Sequence, residues 1–372
     1  MNDRNRKTDT NEIDSRKQPL WYSGRYFDYP LFGIVLGLVL FGLVMVYSTS
    51  SYRADELYGD STYFAKRQLV FELVALVGMF LVSKIDYRRY ARYSKYFLYV
   101  AIALLVLVYI IGSASHGSTR WIYIGAFGFQ PSEFAKLALI VYTADICTRK
   151  PRSLNTIKGL AKMLLLPLIT IVLIAIENLS TAIICFGIVM IIVFVASPKN
   201  WHFILMGVLG ILMCVVFIAT AGYRADRIRI WLAPEKYDDG YQTMQSLYAI
   251  GSGGFFGRGL GNSIQKMGFI PESHNDMIFS VICEELGLFG AVLTIIMFIL
   301  LIYRCTVLAI NSGDRFGGLI AVGVMAHIAV QVLINISVVT NTIPPTGVPL
   351  PFISYGGSSI FFLLLEMGLM FA

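Results

Sequence analysis

The chain has 372 residues, 56% of them hydrophobic and 14% charged, with a mean hydropathy of +0.68 and a formal net charge of +7. Soluble domains carry about 25% charged residues, so a soluble fold is excluded. The basic residues are divided among short segments instead of forming one patch, which excludes a nucleic-acid binder: membrane topology and anionic headgroups account for them.

A helical span needs roughly 20 apolar residues. About ten segments qualify, near 29–48, 69–84, 96–112, 132–147, 161–176, 180–196, 202–221, 277–303, 317–340 and 352–372. Strands of a membrane β-barrel alternate apolar and polar residues; the runs from Leu31 to Tyr47 and from Phe203 to Thr220 do not. The fold class is therefore all-α, a polytopic membrane helical bundle. Residues 1–28 are polar and charged, unlike a signal peptide, and read as a disordered cytoplasmic tail ahead of one transmembrane domain, 29–372.

Orientation follows from the basic residues. Arg4, Arg6, Lys7, Arg16, Lys17 and Arg25 precede span one. Lys84, Arg88, Arg89, Arg92 and Lys95 follow span two, and Arg149, Lys150, Arg152, Lys158 and Lys162 follow span four. The opposite side holds fewer, and most of those lie in one long loop, which counts little. Both termini are thus expected in the cytoplasm. Cys147, Cys185, Cys214, Cys283 and Cys305 sit in or beside apolar segments, with no metal-ligand spacing. They read as small buried hydrophobes, and no disulfide framework is implied.

Polar chemistry gathers on the outer side. Arg120 and Trp121 stand before span four, which opens Gln130-Pro-Ser-Glu-Phe-Ala-Lys136 with a proline in its first turn. Glu133 and Lys136 share a helix face, either as a packing ion pair or as a charged cavity wall. The loop at about 222–275 is long enough to be functional, and its aromatic, glycine-rich composition reads as an ordered, partly membrane-embedded segment. Its run from Gly251 to Gly261 lets backbone approach a ligand or another helix closely. It is not a nucleotide loop, because no strand precedes it and no Lys-Ser/Thr pair follows.

The loop ends Pro271-Glu-Ser-His-Asn-Asp276 at the membrane boundary, where Asp276 also suits a helix start. Glu284 and Glu285 lie about 12–14 Å further along a helix, a depth at which carboxylates face a polar cavity or a partner. Four prolines and three glycines in the run from Pro344 to Ser359, which includes Ser354 and Tyr355, read as a broken or re-entrant helix. These features describe an outward-facing polar cavity and fit an enzyme or a transporter equally.

At these residues the chain resembles the SEDS family (shape, elongation, division, sporulation), whose members include RodA, FtsW and SpoVE. The resemblance rests on Gln130 to Lys136, Gly259-Leu-Gly-Asn-Ser-Ile-Gln-Lys266, Pro271 to Phe279, Glu284-Glu-Leu-Gly287 and Pro349-Leu-Pro-Phe-Ile-Ser-Tyr-Gly-Gly-Ser358. It departs at Glu177-Asn-Leu-Ser-Thr181, where the family reads Pro-Asp-Leu-Gly-Thr, and at Asn275, where many members have Thr. The polar tail and the proline run lean toward the FtsW/SpoVE type.

The resemblance implies a peptidoglycan glycosyltransferase of the bacterial cytoplasmic membrane. It would polymerise lipid II beside a class B penicillin-binding protein that cross-links the product. The family's essential aspartate maps onto Asp276, and its span-four acid and base onto Glu133 and Lys136. Asp276 is the expected base, its pKa raised by burial and by Glu133 and opposed by Lys136. Arg120, Lys136, Arg258 and Lys266 are the expected diphosphate partners. Glu284, Glu285, Ser354 and Tyr355 are expected along the cavity. No cofactor is called for, although a divalent cation, Mg or Mn, would assist the leaving group. The competing classes are a lipid II flippase and a non-catalytic scaffold for the transpeptidase.

Overall fold

The computed structural model describes residues 27–115, 118–124, 127–199, 201–219 and 222–372, so most of the expected tail lies outside the described residues. It is a helical bundle: α1 (Tyr29–Tyr58), α2 (Tyr63–Ser83), α3 (Arg88–Ile111), α4 (Pro131–Arg149), α5 (Ile157–Glu177), α6 (Leu179–Ala196) and α7 (Trp201–Ala219) are followed by α8 (Gly222–Leu232), α9 (Tyr241–Ser252), α10 (Ile278–Asn311), α11 (Arg315–Val339) and α12 (Gly357–Met370). Each expected span has its helix, in α1–α7 and α10–α12. Among the described residues, six helices are long and apolar enough to cross a membrane unaided: α1, α3, α5, α6, α10 and α11. Of the other spans, α2 carries Lys66, Arg67 and Glu72, α4 carries Glu133, Lys136 and Asp145, and α12 has only 14 residues.

Two features were not expected. A small antiparallel sheet, β1 (Ser113–Ser115), β2 (Ser118–Ile124) and β3 (Phe127–Phe129), joins α3 to α4. The long loop carries two helices of its own, α8 and α9. The sheet and this loop mark one end of the bundle, termed here the loop face.

The core is built where α4, α6 and α11 meet, with α10 packed against α11 and α1, and α12 laid along α2. Ile140, Ile188, Ile192, Val324 and Ile328 are buried there. The helices begin and end on local signals. Asp28 caps α1 through the Leu31 amide, Asn178 caps α6 through Thr181, and Asp314 caps α11 through Gly317. Between α5, α6 and α7 runs an apolar groove of about 390 Å³, lined by Ile171, Phe186, Met190, Gly210 and Met213 among others.

Two places break helical regularity inside the bundle. Within α10, Gly287 adopts φ +67°. The turn this opens exchanges backbone bonds with the glycine-rich loop. Arg258 and Gly259 amides donate to the carbonyls of Glu284 and Glu285 at 3.0 and 2.9 Å, while Leu288 and Phe289 amides donate to Gly254 and Phe255 at 2.9 and 3.1 Å. A Cβ at Gly257 would lie 2.1 Å from the Glu285 carbonyl oxygen. The glycines therefore serve contact with a helix.

The second break precedes α12. Instead of a half-helix, residues 343–356 form irregular backbone, because Pro344, Pro345, Pro349 and Pro351 carry no amide hydrogen. The segment is largely buried, with Phe352 held at φ +63°. It rests on α1 at Gly42, where a Cβ would stand 2.4 Å from the Phe352 carbonyl oxygen. Gly42→Ala should therefore push this segment outward and cost about 1–3 kcal/mol, read as a lower unfolding temperature in detergent. Gly33→Ala, with open space around its Cβ position, should not lower it.

Candidate functional site

The loop that carries Asp276 is held from several directions. Ser273 Oγ donates to the Thr49 carbonyl of α1 at 3.2 Å. Three successive carbonyls are then taken up. His274 O accepts from the Tyr355 amide at 2.9 Å, Asn275 O from Ser354 Oγ at 2.6 Å, and Asp276 O from Asn335 Nδ2 at 2.7 Å. Ser354 Oγ also accepts from the Leu350 amide at 2.8 Å. Ser354 and Tyr355 thus secure the loop to the irregular segment. His274 is buried between the rings of Phe64 and Tyr355, 4.9 and 5.6 Å away. Burial lowers its pKa, so it stays neutral there.

The Asp276 side chain is left under-bonded by this frame. Its Oδ1 is buried without a hydrogen-bond partner. Burial pushes its pKa up from 3.8 to about 7, with the nearby Glu272 carboxylate adding to the rise. The backbone amides at 276 and 277 and the Arg227 guanidinium oppose it. The charges at work are thus Glu272 and Arg227, in place of the expected Glu133 and Lys136. Arg227 projects from exposed α8, with Nη1 donating to the Pro345 carbonyl at 3.2 Å. Among the described residues, no group of three or more His, Cys, Asp or Glu side chains could hold a metal ion.

Glu133 and Lys136 belong to a second, deeper layer. They pair at 2.9 Å, both buried. Lys136 Nζ also donates to Gln331 Oε1 at 3.3 Å. That oxygen lies 2.9 Å from His327 Nε2, and His327 Nδ1 lies 2.7 Å from Glu366 Oε2. Gln331 Nε2 donates to the Pro349 carbonyl at 3.0 Å. A continuous polar chain thus joins α4, α11 and α12, and meets the irregular segment beside the Asp276 loop. A further buried pair, Gln68 and Glu72 of α2, holds the Gly356 amide just before α12.

The remaining expected residues are placed elsewhere. Glu284 and Glu285 have 0% exposure. Glu285 bonds Lys266 Nζ at 2.7 Å and Ser48 at 2.7 Å. Glu284 accepts from Ser263 Oγ and the amides of Ile264 and Gln265, and faces Arg258 at 3.7 Å. Lys266 is 4% exposed and neutralises Glu285, so it is not presented to a diphosphate. Arg258 stands partly exposed over Glu284. Both cations lie on the glycine-rich loop, and the two carboxylates pin that loop to α10. Arg120 lies on β2, which packs against α3, α4 and α5.

Arg227, His327, Gln331, Asn335 and Glu366 were not singled out from the sequence. A signal existed for three of them. His327, Gln331 and Asn335 recur every fourth residue within an apolar span, which places them on one helix face.

The model of the FtsW/RodA/SpoVE family, described as cell cycle protein, matches residues 29–372. The chain is 40% identical over 343 residues to stage V sporulation protein E of Bacillus subtilis, spanning 91% of this chain and 94% of that protein. It is 38% identical over 350 residues to a probable peptidoglycan glycosyltransferase FtsW of Trichlorobacter lovleyi, spanning 92% of each. Among solved structures, it resembles a chain from work described as "Structural coordination of polymerization and crosslinking by a peptidoglycan synthase complex", with TM-score 0.78, 27% identity and coverage of 93% and 96%. It also resembles the rod shape determining protein RodA of Thermus thermophilus, with TM-score 0.69, 26% identity and coverage of 95% and 97%.

The ion pair at the α10 break makes a clear energetic expectation. Lys266→Ala would leave Glu285 buried without its cation and should cost about 3–5 kcal/mol. The double change Lys266→Met, Glu285→Leu removes both charges at similar volume and should recover most of that loss. Equilibrium unfolding in detergent tests it, and a double variant no more stable than Lys266→Ala would contradict the assignment.

Proposed function

The chain belongs to the FtsW/RodA/SpoVE family, and from that membership we propose that it is a peptidoglycan glycosyltransferase that polymerises lipid II at the outer face of the cytoplasmic membrane. The loop face is then the outer face, in keeping with the bias of basic residues to the opposite side. The observation that carries the reading is the Asp276 carboxylate: one oxygen buried and unpartnered, with a pKa near 7, at the edge of the bundle.

The reaction forms a bond from the sugar 4-hydroxyl oxygen of one lipid II to the anomeric carbon of the growing glycan. It breaks the bond from that carbon to the lipid diphosphate. The hydroxyl proton goes to Asp276, and the electron pair of the broken bond leaves with the diphosphate. Attack opposite the leaving group inverts the anomeric carbon. A base with a pKa near working pH is about half ionised and accepts a proton readily, which an ordinary aspartate does not.

Charge on the leaving group needs a cation. Arg227 is exposed, stands near Asp276 and replaces Lys266 in that role. Arginine offers a planar fork suited to phosphate oxygens. Lys136, fixed by Glu133 and Gln331, supports the site from below. A divalent cation, were one bound, would sit on the diphosphate oxygens beside the Glu272 carboxylate and would supply charge neutralisation there, leaving Asp276 free as the base. The partner is proposed as a class B penicillin-binding protein. The apolar groove along α7 offers room for lipid chains.

Purified protein with its transpeptidase should make glycan from lipid II. Asp276→Asn should make none while remaining folded. Polymerisation by Asp276→Asn at the wild-type rate would remove Asp276 as the base. Movement of lipid II across vesicles without glycan synthesis would return the flippase reading.

The pH dependence has a definite sign. The base acts deprotonated, so the rate should fall about tenfold per unit below pH 7 and level off above it. The folded state binds this proton more tightly than the unfolded chain, with a pKa near 7 against 3.8. The group's contribution to stability therefore declines as pH rises from 3.8 to about 7. At pH 8 Asp276→Asn should unfold at a temperature equal to or above that of wild type. A clearly lower one would show that Asp276 stabilises the fold.

A further inference from the structure

Asn335 occupies a place that a packing residue does not need. It is 1% exposed within α11. Its amide nitrogen donates twice, to Asp276 O at 2.7 Å and to Val348 O at 2.8 Å. Two carbonyl partners also fix the orientation of the amide, since the nitrogen must face them. The two carbonyls come from chain segments 72 residues apart. One belongs to the residue proposed as base, the other to the irregular segment that borders it.

The next polar residue on the same face, one turn back and about 6 Å along the axis, is Gln331. Gln331 repeats the pattern. Its nitrogen donates to Pro349 O, and its oxygen accepts from Lys136 Nζ. Successive carbonyls of the irregular segment, at 348 and 349, are therefore held by successive amide side chains of one rigid helix. The same two side chains set the backbone of Asp276 and the ammonium of Lys136.

Proline supplies the reason. Pro349 and Pro351 cannot donate to a helix or sheet ladder, so the carbonyls around them have no regular backbone partner. Amide side chains satisfy them instead, and thereby gain leverage over the segment's position. The contact at Asp276 then couples that segment to the base.

We propose that Asn335 is a positioning residue for the transfer reaction, with Gln331 as its counterpart for Lys136. Asn335 does not touch the reacting atoms. It holds the Asp276 backbone and the irregular segment in one frame, so that the carboxylate meets the acceptor hydroxyl at bonding distance. This inference rests on the reading of Asp276 as the base.

The test compares wild type, Asn335→Asp and Asn335→Ala in steady-state lipid II polymerisation with the partner transpeptidase, along with unfolding temperatures. Asn335→Asp keeps the shape and removes both donors. A displacement of about 1 Å at a reacting group costs on the order of 100-fold. Both variants should lose about 100-fold in kcat with KM within about threefold of wild type. Ser354→Ala frees the neighbouring Asn275 carbonyl and should show the same kcat-selective loss, which keeps the test available if the Asn335 variants fail to fold.

A full kcat in folded Asn335 variants, with only a lower unfolding temperature, would reduce Asn335 to a packing residue. A raised KM at unchanged kcat would make it a substrate contact. Either result overturns the positioning role while leaving the glycosyltransferase reading intact. A wild-type protein that makes no glycan would instead overturn that reading.

Discussion

Hydrocarbon offers no partner to a backbone amide or carbonyl, and an unpaired one there costs several kcal/mol. A helix that breaks inside the bundle must therefore find replacement partners within the protein. Two breaks do so in different ways. At Gly287 the opened turn of α10 trades four backbone bonds with the glycine-rich loop. Ahead of α12, prolines rule out such a trade, and side-chain amides from α11 accept the duty. The Asp276 loop is bonded to the second of these breaks, through Ser354, Tyr355 and Asn335.

The carboxylates divide along the same line. Glu284 and Glu285 sit deepest, and each is surrounded by donors: hydroxyls, amides and a cation. Buried charges so paired hold a structure together, and their chemistry is quenched. Asp276 lies nearer the edge and has the poorer environment, with Oδ1 unpartnered and Glu272 close by. The difference in donors, more than the difference in depth, separates a clamp from the proposed base.

Much of this architecture was legible in the amino-acid sequence. Runs of apolar residues located each span, and the four prolines between Pro344 and Pro351 announced irregular backbone. Asp276 stood out only through the resemblance to the family. Partnership was not legible. Lys266 was expected at a diphosphate because it stands in a motif near Asp276, yet a motif does not say which carboxylate a lysine faces. In the fold it meets Glu285, 19 residues away. The sheet was missed because its strands are short, three, seven and three residues, and gain their regularity only by pairing. The stripe of His327, Gln331 and Asn335 was visible by spacing, but its meaning depended on carbonyls distant in the chain, at Asp276 before it and at Val348 and Pro349 after it.

A carboxylate whose pKa sits near 7 is a local source of instability, since the folded state must hold a poorly solvated charge above that pH. Such a group relaxes if its surroundings allow it, by turning toward water or toward a cation. Here relaxation is opposed at the backbone. The carbonyls of residues 274, 275 and 276 are each bonded to a different donor, and Ser273 is tied to α1. Four anchors on four consecutive residues leave the loop little freedom to rotate Asp276 away. The unfavourable electrostatics at one oxygen and the dense hydrogen bonding of its backbone are thus complementary, the second making the first sustainable. This also explains why the anchors arise from α1, α11 and the irregular segment together. A loop held by one element could swing with it, whereas a loop held by three can move only if the bundle itself repacks.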